Sequence, residues 1–372
     1  MKKYDVAAYI WPSYTGDELR SRMFWPEGMG EWETVREMKP RFEGHRWPRK
    51  PLWGYVNEAN SDIMEMEINQ AVRHGVNVFI YDWYWYDRRP FLENCLNDGF
   101  LKAANNKEMK FYLMWANHDA THLWDRRLAS SECKSTVIWQ GGVNRRDFEE
   151  MAIRLVDKYF GYENYYRIDG KPVFMIYDVR MFILGMGSIR AAKEALAWFR
   201  QLVESKGYPG LHLQISGRGR FPLRLPDLED GGIFYREEIL EVLGADSFTY
   251  YQFGHIANRT GDYLDLLEKV KEEFERIEKE SKIPFCPHIS CGWDNNPRHK
   301  VFEPEITENN TPENFEKALR LAKDYVDRND LPAPLITINS WNEWTEGSYL
   351  QPDDLYGYGY LEAVKKVFLD EA

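Results

Sequence analysis

Short apolar runs recur along the whole chain, and most of them are continuously hydrophobic rather than alternating in polarity. Strands of a parallel sheet show this pattern, because they are buried on both faces by side chains and covering helices. We predict that eight such runs are strands, at residues 6–11, 76–85, 110–117, 171–178, 211–216, 247–253, 283–290 and 333–341.

Helical periodicity fills the segments between these runs. Apolar residues keep helical spacing over 263–277 and over 315–326, and the second segment is preceded by Thr311 as an N-cap and Pro312 at the first helical position. Similar patterns predict further helices at about 60–74, 91–105, 147–160, 188–206, 235–243 and 359–369.

Strands and helices that alternate eight times predict an α/β protein of the (β/α)8 TIM-barrel class. A doubly wound open sheet is the alternative, but no GxGxxG motif follows the first strand. No linker or change of composition divides residues 1–372, so the chain is predicted to be a single domain. The barrel itself needs roughly 250 residues. We expect the surplus in loops at the C-terminal face, chiefly in the loop of about 12–59 after the first strand.

Composition narrows the partners of the protein. Aromatic residues make up 15% of the chain, with 14 Trp and 23 Tyr, and such rings offer flat apolar faces with polar edges that suit sugars. The net charge of −12 makes nucleic acid and anionic membrane poor partners. No apolar stretch is long enough for a membrane span or a signal peptide. We expect a monomer or homodimer with a carbohydrate substrate, cytoplasmic as written, or secreted or periplasmic if a signal peptide was removed.

Metal and cofactor chemistry finds little support. The HxxxH spacing of His118 and His122 lacks the glutamate of HExxH, and His288 with Asp294 is an equally weak zinc candidate. There is no phosphate-binding glycine loop, cofactor fingerprint or GxSxG elbow, so we predict neither a metal nor an organic cofactor. The cysteines form no CxxC pair and are predicted to be isolated core or loop thiols, namely Cys95, Cys133, Cys286 and Cys291.

Polar and aromatic residues crowd the predicted C-terminal ends of seven strands, whereas the N-terminal ends carry mostly turn residues and charge. Active sites of (β/α)8 barrels lie at the C-terminal ends. We therefore predict a sugar-binding cavity there, with rings stacking on sugar faces and polar groups binding hydroxyls. The predicted substrate-binding residues, from these ends and from the loop after the first strand, are Trp11, Trp32, His45, Asp82, Trp83, Tyr84, Trp115, Asn117, His118, Tyr177, Tyr251, His288, Trp293, Asn342 and Trp344.

Two glutamates stand at the end of the last predicted strand. Glu343 and Glu346 lie in "INSWNEWTEGSYLQPD", and glycoside hydrolysis usually needs two carboxyl groups. Residues three apart point to opposite faces of a straight strand, so a shared site requires a bend, for which Gly347 is suited. Such a bend allows the retaining separation of about 5 to 5.5 Å and also a longer inverting one. The flanking Trp341 and Trp344 are suited to exclude water and raise the pKa of a glutamate.

The block "WNEWTEG" resembles the WNEW-x-E-G signature of glycoside hydrolase family 99 and of the related WbsX-type proteins of polysaccharide gene clusters. The resemblance implies a (β/α)8 barrel without metal or organic cofactor and, in family 99, retaining endo-cleavage of α-mannosidic linkages. It implies that Glu343 deprotonates the substrate's own 2-hydroxyl, which attacks the anomeric carbon and gives a 1,2-anhydro sugar. Glu346 then protonates the leaving group and later activates water. Blocks that look WbsX-type follow in order at 31–48, 80–93, 111–125, 165–177 and 338–353.

The chain departs from these families at three places. Residues 12–15 lack a histidine that WbsX-type proteins often carry, which leaves His45 as the histidine of that loop. Residues 117–120 read Asn-His-Asp-Ala where Asn-Glu-Asn-Trp is usual, and Thr345 stands where family 99 has histidine. These positions belong to the sugar-binding wall. The predicted function is therefore hydrolysis of glycosidic bonds in a polysaccharide or glycan, with an α-mannoside-like compound as one candidate substrate.

The alternative function is a glycan-binding or glycosyltransferase-type protein of polysaccharide biosynthesis that does not hydrolyse its ligand. No nucleotide-sugar DxD motif lies on a suitable strand, and Asp353-Asp354 falls in a predicted loop. A barrel with a purely structural role is least favoured, because its rim would not need so many acids and aromatic rings.

Overall fold

The eight apolar runs form the strands of a barrel. The computed structural model describes residues 4–16, 18–125, 127–128 and 135–371 of the chain. All barrel strands run parallel, so their carboxyl ends meet at one face of the barrel. The strands are β1 Asp5–Ile10, β2 Val78–Tyr86, β3 Lys110–Trp115, β4 Lys171–Ile176, β5 His212–Ser216, β6 Ser247–Thr249, β7 His288–Ser290 and β8 Leu335–Asn339.

The first and last strands are neighbours in this barrel. β1 pairs with β8 on one side and with β2 on the other, and the sheet continues in chain order from β2 to β6, with β7 beside β8. Between β6 and β7, the N–H of Cys286 donates to the Phe248 carbonyl at 2.8 Å and the N–H of Phe248 to the Pro284 carbonyl at 3.0 Å. The predicted (β/α)8 barrel is thereby confirmed, whereas its description as a single domain stays a prediction.

Helices cover the outside of the barrel, and this explains why the strands are apolar throughout. Every residue of β2, β5 and β8 is buried. Thr311 caps its helix by accepting a hydrogen bond from the N–H of Asn314, and Pro312 opens that helix, as predicted. The α-helices are α1 Trp32–Glu37, α2 Ser61–Arg73, α3 Arg145–Leu155, α4 Val179–Met186, α5 Ile189–Ser205, α6 Glu238–Leu243, α7 Tyr263–Glu280, α8 Pro312–Arg328 and α9 Gly359–Lys365.

The helix predicted over 91–105 is wrong as an α-helix. The segment forms a π turn at Cys95–Gly99 and a 3-10 turn at Phe100–Lys102. Gly99 packs so closely on the loop before α2 that a Cβ there would lie 2.0 Å from the carbonyl oxygen of Glu58. This contact requires glycine, which is a poor helix former. The short helices α1 and α4 were not predicted.

Shorter elements decorate the loops. Further π turns extend α3 and α9, over Val156–Phe160 and Lys366–Asp370. The loop after β1 runs from 11 to 60 and carries α1. The 3-10 turns are Ser21–Met23, Asn106–Glu108, His122–Trp124, Phe253–His255, Asn296–Arg298 and Trp344–Glu346, and the short strands are Arg89–Phe91, Ala120–Thr121, Val137–Trp139, Arg167–Ile168, Leu223–Arg224, Ile233–Phe234, Gly261–Asp262, Thr307–Glu308, Asn342–Glu343 and Ser348–Tyr349.

Cysteines and helix hydropathy add two facts. Cys95, Cys286 and Cys291 are buried free thiols, and Cys133 lies outside the described residues. Among the helices that the structure describes, none combines the length and the apolar character that a membrane crossing requires.

Candidate active site

A tight hairpin follows β8 and carries the two candidate acids. The strand Asn342–Glu343 pairs antiparallel with Ser348–Tyr349, and a 3-10 turn over Trp344–Glu346 joins them. Gly347 closes the turn with φ +63°, in the left-handed region that favours glycine. The bend that the sequence predicted is therefore present. We call residues 341–351 the acid hairpin.

Both acids converge on one guanidinium. Arg298, in the 3-10 turn after β7, donates from Nη2 to Oε1 of Glu343 at 2.7 Å and from Nη1 to Oε1 of Glu346 at 2.8 Å. Its Nε and Nη2 also donate to the two oxygens of Glu31, at 2.7 and 3.0 Å. Three carboxylates from two loops thus surround one buried positive charge. The fork of donors in arginine suits this role, since each arm can serve a different acceptor.

Glu31 also accepts hydrogen bonds from donors other than Arg298. Oε2 of Glu31 accepts from the indole N–H of Trp11, at the end of β1, and from Oγ1 of Thr345 at 2.9 Å. Thr345 is itself one of the two residues between the candidate acids. Glu31 therefore ties the loop after β1 to the acid hairpin.

Electrostatics favour a proton on the acid pair. Burial raises the pKa of Glu343 well above its usual range and also raises that of Glu346, while the positive charge of Arg298 opposes both shifts. Each of the two has an Oε2 atom that is buried and has no hydrogen-bond partner within the described part of the chain. One cation among three carboxylates favours a state in which a proton is shared. Such a pair can supply one acid and one base.

These acids line a cavity of about 160 Å³ at the carboxyl ends of the strands. Asp82, in the middle of β2, accepts from the hydroxyl of Tyr251 at 2.9 Å, and burial raises the Asp82 pKa well above its usual range. The ring of Trp11 packs against Tyr84 and Trp124, with centroid distances of 5.6 and 5.4 Å. Predicted site residues that line the cavity are Trp11, Asp82, Tyr84, His118, Tyr177, Tyr251, Glu343 and Glu346.

Alternation along the strands places two predicted tryptophans outside the cavity. Asp82 and Tyr84 line it, whereas Trp83, between them, lies on the other face and donates to Glu93. Trp115, at the end of β3, is fully buried against Phe148 of α3 and Phe182 of α4. Successive strand residues point to opposite faces, so these indoles pack between strands and helices. We therefore do not propose Trp83 and Trp115 as substrate ligands.

Four other predicted residues hold the loops around the cavity. The His45 ring pairs with Asp294 at 2.7 Å. The Trp32 indole donates to the Val56 carbonyl at 2.8 Å. Each of these contacts joins the long loop after β1 to itself or to the loop after β7. The side-chain amide of Asn117 donates to the backbone carbonyl of Asp178 and accepts from the backbone N–H of the same residue. The ring of Trp293 packs against the guanidinium of Arg259 in an adjoining groove of about 360 Å³.

Three predicted residues lie deeper than the cavity. His288 is fully buried inside the barrel between Thr337 and Ser290, and burial lowers its pKa to about 3. Asn342 and Trp344 are fully buried on the far side of the acid hairpin. The structure thus separates the predicted wall into residues that face the cavity and residues that support them.

A family model described as "Glycosyltransferase WbsX" matches residues 7–364. The chain belongs to the WbsX family. The resemblance predicted from the WNEWTEG block is confirmed by this match. Two curated relatives, both called WxcX and from two strains of Xanthomonas campestris pv. campestris, are 26% identical over 347 residues, or 92% of this chain. The chain spans about half the length of these relatives, since the match covers 46% of each.

Solved structures show the same fold at low sequence identity. The GH99 endo-alpha-mannosidase from Bacteroides thetaiotaomicron is 16% identical, with a TM-score of 0.60 over 98% of this chain and 96% of that one. A structure described as "Glycoside hydrolase-like protein" is also 16% identical, with a TM-score of 0.60 over 99% and 94%. These likenesses establish the barrel of the WbsX-family chain.

Sequence reasoning missed the cation of the site. Arg298 and Glu31 lie in loops, away from the ends of predicted strands. Charge balance was the available signal, because two buried glutamates in one site call for a positive partner. Further cavity residues of this WbsX-family chain that were not predicted are Met114, Ala116, Leu123, Trp124 and Gln252.

Metal ligation has no candidate in the described ranges, where no three His, Cys, Asp or Glu side chains are grouped so as to hold an ion. Asp294, considered with His288 as a zinc ligand, instead accepts hydrogen bonds from His45 and from the indole of Trp47, both at 2.7 Å.

Proposed function

We propose that this WbsX-family protein is a glycoside hydrolase that acts on a polysaccharide or glycan. The observation that carries the proposal is the convergence of Glu343 and Glu346 on Arg298 at the wall of an aromatic cavity. Hydrolysis of a glycosidic bond needs one carboxyl group that donates a proton and one that accepts a proton or attacks. A buried pair with raised pKa values can hold both forms at neutral pH.

The division of roles follows the family resemblance. Glu343 would take the proton of the substrate's 2-hydroxyl, which attacks the anomeric carbon, while Glu346 protonates the departing oxygen. Water then opens the 1,2-anhydro sugar with Glu346 as base. Exposure supports this assignment, because the side chain of Glu346 is 13% exposed against 3% for Glu343, and the group that activates water needs access to it.

Arg298 keeps the pair ready for this cycle. Its charge stabilises whichever carboxylate is ionised, and Glu31 holds the guanidinium in place. As pH rises through the raised pKa of the acid, the proton donor is lost and the rate falls. As pH falls, the base becomes protonated and the rate falls again. We therefore expect a bell-shaped profile whose alkaline limb lies above the ordinary range of a glutamate.

The walls point to a neutral or weakly polar sugar ring. The rings of Trp11, Tyr84 and Trp124 offer apolar faces. Oδ1 of Asp82 has no hydrogen-bond partner among the described residues and is placed to accept from hydroxyls. The structural neighbour from Bacteroides thetaiotaomicron is described as an endo-alpha-mannosidase. An α-mannoside-like glycan is therefore the first substrate to test.

The test is a digestion screen with yeast α-mannan and a panel of bacterial polysaccharides, read as newly formed reducing ends. Glu343→Gln and Glu346→Gln should each lower hydrolysis by about a thousandfold, with general acid or base catalysis lost and the fold kept. Glu268→Gln, at an exposed position of α7, is the control and should hydrolyse at the parent rate. Parent-like hydrolysis by both site variants would contradict the proposal.

The mechanism has its own test. A 2-O-methyl or 2-deoxy version of the cleaved sugar lacks the attacking hydroxyl and should be inert, while the configuration of the first product, followed by NMR, should be retained. Turnover of the 2-deoxy compound at the normal rate would exclude the 1,2-anhydro route and leave hydrolysis itself standing.

The description of the family model supports a second candidate, a glycosyltransferase. Its donor would be a sugar linked to a nucleoside diphosphate, and binding the diphosphate requires cationic groups that are free to contact it. The guanidinium nearest the acids, that of Arg298, is engaged by three carboxylates, which makes it a poor partner for such a group. Sugar transfer from a nucleotide-sugar donor to a glycan acceptor, without release of reducing ends, would favour this candidate over hydrolysis.

A further inference from the structure

A second carboxyl pair lies behind the acid hairpin. Glu58, in the loop before α2, and Glu67, within α2, have no exposed surface. Neither forms an ion pair with any residue in the ranges that the structure describes. Their neighbours with titratable groups are the thiol of Cys95 and the hydroxyls of Tyr81 and Tyr14, all neutral at physiological pH. Two buried carboxyl groups without a cation are costly unless neutral donors and protons compensate.

The donors come from the acid hairpin. The amide nitrogen of Asn342 donates to both oxygens of Glu58, at 3.0 and 2.9 Å. The amide nitrogen of Gln351 bridges the pair, at 3.1 Å to Glu58 and 3.0 Å to Glu67. The indole of Trp341 donates to Glu67 at 2.7 Å. Residues on either side of the catalytic acids are therefore held by the same two carboxyl groups.

The contacts extend to the turn and to β1. The indole N–H of Trp344 donates to the side-chain carbonyl of Gln351 at 2.7 Å. Asn342 also accepts from the N–H of Trp11 at 2.7 Å and donates to its carbonyl at 3.0 Å. Movement of Asn342 would therefore shift Glu343 on the cavity side and Trp11 in the cavity wall together.

We propose that Glu58 and Glu67 are positioning residues for the acid hairpin, and that they act as a pair which must keep at least one proton. The proposal rests on the proposed function for its catalytic consequence, but its structural half does not. With one carboxyl protonated, the amide and indole donors balance a single negative charge. With both ionised, two like charges share a buried site without a cation, and the hairpin is pushed away from the pair.

The direction of the pH dependence follows from these shifts. Burial raises the pKa of Glu67 to about 7 and that of Glu58 well above its usual range, and the charge of Glu67 raises the Glu58 pKa further. The folded protein therefore binds more protons than the unfolded chain between the ordinary glutamate pKa and about 7. Stability contributed by the pair is present at low pH and is lost as pH rises through the folded pKa values.

The first experiment compares thermal unfolding of the full chain and of Glu67→Gln and Glu58→Gln between pH 5.5 and 8. Glutamine keeps the acceptor oxygen and removes the charge. We expect the Tm of Glu67→Gln relative to the parent to rise by about 2 to 3 °C across this range. Glu65→Gln, on the same helix and partly exposed, is the matched control and should show a constant difference.

The second experiment follows hydrogen exchange of peptides from 338–353, corrected for the intrinsic effect of pH on exchange. In the parent protein the hairpin should exchange at least about threefold faster at pH 8 than at pH 6, because its anchors are weakened. In Glu67→Gln this dependence should disappear. Neither Tm nor hydrogen exchange depends on a substrate. A failed digestion screen would therefore contradict the hydrolase proposal and leave the proposal about Glu58 and Glu67 unaffected.

Kinetics test the catalytic consequence with the polysaccharide that the screen identifies. Glu67→Gln should move the alkaline limb of kcat to higher pH and leave KM within about twofold, since the pair touches no substrate. If Glu58→Gln and Glu67→Gln both keep the parent's pH dependence in Tm and in hairpin exchange, the proposal is overturned. It is equally overturned if Glu65→Gln shows the same change.

Discussion

The acid hairpin meets carboxyl groups on both of its sides, and the two sides differ in how charge is compensated. On the cavity side, Arg298 pairs with three carboxylates, and one oxygen each of Glu343 and Glu346 has no hydrogen-bond partner in the described ranges. On the far side, Glu58 and Glu67 accept hydrogen bonds from neutral amide, indole and thiol donors. A cation lets buried carboxylates ionise, whereas burial without a cation favours a retained proton, an effect that the neutral donors oppose only in part. Burial alone therefore does not decide which acids can exchange protons with a ligand.

The largest effect is expected from removing the cation on the cavity side, Arg298. Arg298→Met leaves three carboxylates facing one another, so the free energy of unfolding should fall by about 4 to 5 kcal/mol at pH 8 and by less at pH 5.5, where the acids are protonated. Denaturant unfolding at both pH values measures this. Arg328→Met, which removes a partly exposed pair with Glu278, is the control and should cost about 0.5 kcal/mol. Equal losses for Arg298→Met at both pH values would indicate lost packing instead.

Adding a charge behind the hairpin tests the other side. Asn342→Asp keeps the size of the side chain but replaces donors to Glu58 with a third carboxyl group that has no cation. The free energy of unfolding should fall by about 3 kcal/mol at pH 8 and recover partly at pH 5.5, as protonation relieves the repulsion. Asn69→Asp, on the outer side of α2, is the matched control and should be close to neutral. If the free energy of unfolding falls by the same amount at both pH values, the site around Glu58 and Glu67 tolerates an added charge.

A smaller effect is expected where the two sides are joined. Trp344→Phe removes the indole donor to Gln351 and leaves a buried carbonyl without its partner. This should lower the free energy of unfolding by about 1 to 2 kcal/mol with little dependence on pH. Hydrogen exchange of the acid hairpin should rise equally at pH 6 and pH 8. A strong pH dependence of this increase would contradict the prediction.

The smallest effect is expected at the cavity wall. Tyr251→Phe removes the hydroxyl that donates to Asp82 and should raise the pKa of Asp82 further, since that hydrogen bond favours the ionised form. The expected cost is about 1 kcal/mol, present at pH 8 and smaller at low pH, as measured by denaturant unfolding. Tyr162→Phe, partly exposed, should cost less. A larger loss at low pH than at pH 8 would contradict the assignment.

Much of the fold could be predicted because the strand pattern is set by burial. Each apolar run became one barrel strand, and β1 beside β8 follows from closure. The segment 91–105 could not be predicted, because its π turn depends on Gly99 meeting the carbonyl of Glu58, a contact between distant parts of the chain.

The candidate site could be predicted only to the ends of the strands. Pattern reasoning found Asp82 and Tyr84 but could not tell that Trp83 and Trp115 belong to the opposite face, since a one-residue change in register exchanges the two faces. Charge balance called for a cation but could not single out Arg298, because its role depends on how the loop after β7 folds.

The hydrogen bonds of Asn342 also carry a consequence for how the protein is made. This residue contacts Trp11 and Glu58, which are 331 and 284 positions earlier in the chain. Contacts between such distant segments form late, after the intervening chain has collapsed. A nascent chain that has been made only as far as residue 342 contains Glu31 and Arg298 but neither of the two candidate acids, Glu343 and Glu346. Both acids enter the cavity only when β1 and β8 have joined, so the site cannot form before the acid hairpin has been synthesised.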